Sequence, residues 1–104
     1  MKQVILSADG DSVVYSVPDV VAENLERYCL HFCTKWIRCD PGAKKFRIER
    51  NGTVGFCYDQ DDFIDYLNAC LFPNEPSKRI RNLGRIASEQ DYPQEYRGTP
   101  KFHF

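Results

Sequence analysis

Val4-Ile5-Leu6-Ser7-Ala8-Asp9-Gly10-Asp11-Ser12-Val13-Val14-Tyr15 is the stretch whose reading decides the fold. An Asp-Gly pair between β-branched runs is a hairpin signal, because both central positions of a type I′ turn take positive φ. A two-residue loop at Asp9-Gly10 pairs Leu6 with Val13 and Val4 with Tyr15. That register gathers Val4, Leu6, Val13, Tyr15 and Val17 on one face of strands over 3–7 and 12–17. Ser7, Ser12 and Ser16 fall on the other face, with Ile5 and Val14 as apolar exceptions there.

Outward from this hairpin the period changes. Pro18 presets a helical φ, and Asp19 and Glu23 suit the positive end of a helix dipole. From 19 to 37 the apolar residues Val21, Leu25, Tyr28, Cys29, Phe32 and Trp36 lie within about 100° of one another on a 3.6-residue wheel. Asp40-Pro41-Gly42 ends the element.

A second turn signal, Asn51-Gly52, comes 42 positions after the first glycine. Side-chain phase favours a three-residue loop, Arg50-Asn51-Gly52, with Gly52 in a bulge, over a two-residue loop. Phe46, Ile48, Val54, Phe56 and Tyr58 then share a buried face of strands over 45–49 and 53–58. Asp59 is placed to cap a second helix running to Leu71, with Phe63, Tyr66, Leu67, Cys70 and Leu71 as its apolar stripe. Pro73 and Pro76 stop it. Ser77 is placed to cap a short third helix through Arg85, and residues 88–104 read as an irregular, aromatic tail.

The sequence thus predicts an α+β domain of two β-hairpin–helix units (ββαββα). Its antiparallel sheet, which both hairpins could share, packs against amphipathic helices over 1–87, and a C-terminal tail spans 88–104. The length of 104 residues fits one domain, and 42% apolar residues suffice for a core. A net charge of −1 gives the chain as a whole no footprint for nucleic acid or an anionic membrane. No run reaches the roughly 20 apolar residues that span a bilayer. Without a signal-peptide pattern, a cytoplasmic location is the expectation.

The candidates for chemistry are few. Cys29, Cys33 and Cys39 form the one close cysteine cluster, but Cys39 lies too far along a continuous helix to share a metal with the other two. Buried, reduced thiols are the simpler reading, with Cys33 and Cys39 the more accessible. His31 sits off the core stripe, two positions from Cys33, where helical neighbours do not face each other. The acids Asp59, Asp61, Asp62 and Asp65 lack an EF-hand pattern, and capping explains the first three. Lys78, Arg79, Arg81 and Arg85 form a basic segment with no acid between 77 and 86.

No set of residues supplies a nucleophile, a base and an orienting group, and no cofactor motif is present. The sequence therefore predicts a small protein-binding or regulatory module without catalytic activity. Lys78, Arg79, Arg81, Arg85, Tyr92 and Tyr96 would contact another protein, or the chain would self-associate through a sheet edge or the tail. The alternatives are nucleic-acid or phosphate binding through 78–85, and thiol-based redox or metal chemistry at Cys33 or Cys39.

Overall fold

Strand β2 (Ser12–Val17) is buried along almost its whole length. Its backbone groups therefore need hydrogen-bond partners on both edges. One edge is met by β1 (Lys2–Ser7), with Val4 opposite Tyr15 and Leu6 opposite Val13 as the side-chain alternation requires. The computed structural model describes residues 1–8 and 10–104, so the Asp9 half of the expected turn lies outside the described residues. The other edge of β2 is met by a strand that the sequence does not signal. Residues Lys78–Gly84, expected as a helix, pair antiparallel with β2 as the sheet's outer strand, β5.

This correction has a local cause as well. The Asn68 side chain accepts from the Ser77 N–H at 2.6 Å and donates to the Ser77 carbonyl at 3.1 Å. Both main-chain groups of Ser77 are thereby held in place, while its hydroxyl has no partner among the described residues. The expected helix cap is not made. Bulges near Ile80 and Leu83 bend β5, a common device on outer strands.

The free edge of β1 is taken by the tail. β6 (Lys101–His103) pairs with it in parallel, giving a mixed four-stranded sheet in the order β5-β2-β1-β6. The irregular tail expected over 88–104 is thus partly structured. Short 3-10 turns at Glu89–Asp91 and Gln94–Tyr96 lead into β6. They carry Tyr96 onto Ile5 and Val14, with Leu83 and Tyr92 packed alongside. The two apolar exceptions of the first hairpin are therefore the floor of a small second core.

The main core lies on the other face of the sheet, beneath the helices. A five-residue helix α1 (Asp19–Glu23) ends at Asn24, whose φ of −132° interrupts the continuous helix expected over 19–37. The Asn24 side chain bonds back to the Val20 carbonyl at 2.9 Å, one of the local bonds by which Asn competes with helix. Helix α2 then runs over 25–39, from Leu25–His31 through a π-helical stretch Phe32–Trp36 to Ile37–Cys39. Helix α3 covers 60–71, from Gln60–Tyr66 into a π-helical stretch Leu67–Leu71. Its cap is as expected: Asp59 accepts from the Asp62 N–H, and Asp62 accepts from the Asp59 N–H. The π turn adds a residue and rotates the remainder of the helix about its axis. Cys70 and Leu71, expected in the stripe, consequently face outward; Ile64, ahead of the π turn, is buried beside Phe63.

The second hairpin departs furthest from expectation. β3 (Arg47–Arg50) and β4 (Thr53–Phe56) form a separate two-stranded ribbon rather than joining the main sheet. Arg50 faces Thr53 and Ile48 faces Gly55, so the loop is the two-residue Asn51-Gly52 and not the three-residue bulge. Both loop residues have positive φ, 51° and 79°, as a type I′ turn requires. Side-chain phase fixes a register only where one face is buried, and here Ile48 and Val54 are 41% and 48% exposed. With only Phe56, at the ribbon's base, packed against the main core, turn chemistry sets the register.

A part-buried polar link ties the two layers. The Tyr15 hydroxyl, on β2, donates to Asp61 at the start of α3. Burial, then the hydrogen bond to Asp61 and its charge, push the Tyr15 phenol well above its ordinary range. A phenol whose folded pKa is raised contributes stability that is complete below its unfolded value and is lost as pH rises beyond it. The melting temperature is therefore expected to fall as pH climbs above about 10, and to fall less steeply in Tyr15→Phe. Calorimetry between pH 8 and 11 checks this; equal slopes for the two proteins would assign the alkaline loss to other groups.

Candidate functional site

The residues singled out from the sequence become largely structural. Arg79 meets Asp61 at 3.5 Å, and Arg81 meets Glu95 at 3.2 Å. Both pairs are solvent-exposed, where such contacts contribute little energy but do occupy the charge. Tyr96 is 8% exposed, packed from the tail onto Ile5 and Val14. Tyr92 lies under the Lys101 ammonium, 4.8 Å from the ring centre, and its hydroxyl reaches Ser12 at 3.4 Å. Only Lys78 and Arg85 of the basic segment are exposed without an acid partner among the described residues.

The thiols are dispersed. Cys29 is fully buried, and burial raises its pKa strongly. Cys33 is half-buried against the core, while Cys39, Cys57 and Cys70 are exposed. The Tyr58 phenol is raised by burial first and then by the neighbouring Cys33 thiol. Among the described residues no three His, Cys, Asp or Glu side chains converge closely enough to hold a metal ion. No helix among them is long and apolar enough to cross a membrane.

Two surfaces remain that the sequence reading missed. The first is a cleft of about 640 Å³ between α2 and α3. Its apolar lining comes from Tyr28, Leu30, Tyr66 and Leu71, of which Leu30 and Leu71 are 42% and 41% exposed. Arg27, His31 and Lys35 also line it, at four-residue intervals along α2, and Glu26 is the one acid. None of these three forms a salt bridge among the described residues. The Arg27-x3-His31-x3-Lys35 spacing was legible, because residues four apart share a helix face. Leu71 as a surface residue was not, since its placement depends on the π turn in α3.

The second surface is the arm formed by the end of α2 and the β3–β4 ribbon. The Arg38 guanidinium lies 5.1 Å from the centre of the Phe56 ring, and Phe56 is the cross-strand partner of Arg47. Lys45 lies 5.0 Å over Phe46, which packs against Trp36.

No family model, curated protein or solved structure matches this chain. The functional reading therefore rests on these surfaces alone.

Proposed function

We propose that the protein is a non-catalytic protein-binding module that captures an acidic amphipathic helix in the cleft between α2 and α3. The observation that carries this reading is the pairing of exposed Leu30 and Leu71 with a rim on which the charged Arg27 and Lys35 flank His31. Apolar grooves between helices accept a partner helix through side chains at i, i+4 and i+7. Cations at the rim select acidic flanks and steer their approach. A second copy of the chain is a poorer occupant. Its acidic helix start, Asp59 to Asp65, belongs to α3, whose apolar residues Phe63 and Leu67 are committed to the core.

The probe is a fluorescein-labelled helical peptide with leucine at i, i+4, i+7 and i+11 and glutamate at the flanking positions. Fluorescence polarisation is expected to show a Kd in the micromolar range, weakened at least about tenfold, or 1.4 kcal/mol, by Leu30→Asp or Leu71→Asp. Both leucines are exposed, so these variants keep the core. Failure of the acidic probe to bind, or equal binding of its lysine-flanked counterpart, would falsify the reading. A homodimer that dissociates on Leu30→Asp would also overturn it, by making the chain its own occupant.

A further inference from the structure

Residues 35–50 hold six of the 14 lysines and arginines and only two acids, Asp40 and Glu49. The rest of the chain holds eight cations and 13 acids, so the net charge of −1 conceals a local excess of +4 against a remainder of −5. All six, Lys35, Arg38, Lys44, Lys45, Arg47 and Arg50, are exposed. None is in a salt bridge among the described residues, whereas Lys2, Arg79, Arg81 and Lys101 elsewhere are. Asp40 is engaged in accepting from the Gly42 N–H, which fixes the turn out of α2.

From this asymmetry we infer that the arm is a nucleic-acid-binding element that engages the phosphate backbone. Two features favour nucleic acid over an acidic protein. The ribbon's register places Ile48 opposite Gly55 and Val54 opposite Glu49. These are adjacent pairs along the ladder, so the two exposed apolar residues point to opposite faces. Neither face offers the contiguous apolar patch around which protein interfaces are built. Phosphate contacts need no such patch: they need cations and donors spread along a surface. A two-stranded antiparallel ribbon is also one of the two shapes that the major groove of duplex DNA admits.

The aromatic rings keep the cations in place. Arg38 lies over Phe56 and Lys45 over Phe46, and both rings pack against the main core. Two of the cations are thus anchored to the domain instead of trailing in solvent. Charge on open strand edges also guards against aggregation. That role alone predicts no saturable binding.

Fluorescence anisotropy of the intact protein with a labelled 20-base-pair DNA duplex and with a 20-nucleotide single-stranded RNA, at several salt concentrations from 50 to 200 mM, tests the assignment. If all six cations engage duplex phosphates, the log–log slope of affinity on salt is about −5, and the fourfold rise in salt lowers affinity about 10³-fold. The two probes distinguish duplex from single-stranded targets. Arg47→Gln with Arg50→Gln is expected to make the slope shallower by about one to two, because the ladder sets these two side chains on opposite faces of the ribbon, and Lys44→Gln with Lys45→Gln by about two, because that pair removes two phosphate contacts. Lys78→Gln with Arg85→Gln is the control and leaves the slope unchanged. The inference fails if neither probe binds at 50 mM salt, if the arm variants bind as the parent does, or if the control pair changes the slope as much. It fails equally if polyglutamate of matched charge displaces the DNA, because the arm would then accept any acidic chain.

Discussion

Phe32→Ala is expected to remove about 3–5 kcal/mol of stability, the range for truncating a buried aromatic residue. Phe32 is fully buried, and its ring lies within 6.0 Å, centre to centre, of those of Trp36, Tyr58, Phe63, Tyr66 and Phe104. These five come from α2, the segment before α3, α3 itself and the end of the tail. No other ring among the described residues packs against as many aromatic partners. Aromatic pairs add to the area they bury, so a cavity here forfeits several edge and tilted contacts at once. A domain of this size holds about 5–15 kcal/mol in total, so the variant would be marginally folded or unfolded at 37 °C. Urea denaturation measures the loss, and a change below about 1 kcal/mol would show that the ring cluster is not where the stability resides.

Ending the chain at Ala87 is expected to abolish cooperative unfolding. The deletion strips β6 from β1, exposing the strand's edge, and takes Tyr96 off Ile5 and Val14. It also removes Phe104, whose ring packs on Phe63 at 5.6 Å and whose N–H donates to the Ser7 carbonyl at 2.8 Å. An open edge beside an uncovered apolar face is an aggregation site. A broad thermal transition by circular dichroism, with aggregates in light scattering, is therefore the outcome anticipated. Two point variants separate packing from chain length. Tyr96→Ala and Phe104→Ala should each cost about 2–5 kcal/mol while keeping a single transition. A truncated chain that melted cooperatively at the parent's temperature would mean that the tail is not part of the fold. The sequence left open whether this tail docks on its own domain or on another molecule, and the pairing of β6 with β1 places it on its own domain.

The second core shows why that question could not be answered from residues alone. Ile5 and Val14 broke the alternation of the first hairpin, and an apolar exception on a polar face marks a covered face. The cover comes from a contact about 80 to 90 positions away in sequence, which no local pattern reports. The basic segment failed as a helix for a similar reason. Ile80 and Leu83 have helical spacing, yet the unpaired edge of buried β2 outweighs a weak local preference.

The candidate surfaces divide in the same way. The charge asymmetry of residues 35–50 and the Arg27-x3-His31-x3-Lys35 row on α2 were present in the sequence, hidden by a net charge near zero. That six cations have no acid partner among the described residues, and that Leu30 and Leu71 lie on one cleft, are facts of the folded chain.

The amino-acid sequence by itself determined the first hairpin and its register, the core stripe of α2, and the capped start of α3. Each rests on interactions within a few residues or across one tight turn, where side-chain period and capping chemistry act directly. Only the tertiary structure decided that 78–84 is a strand, that the tail closes the sheet in parallel, and that the second hairpin stands apart with a two-residue turn. Those outcomes depend on which backbone edges and apolar faces are left unsatisfied once the first elements have packed. That is a property of the assembled chain, not of any segment of it.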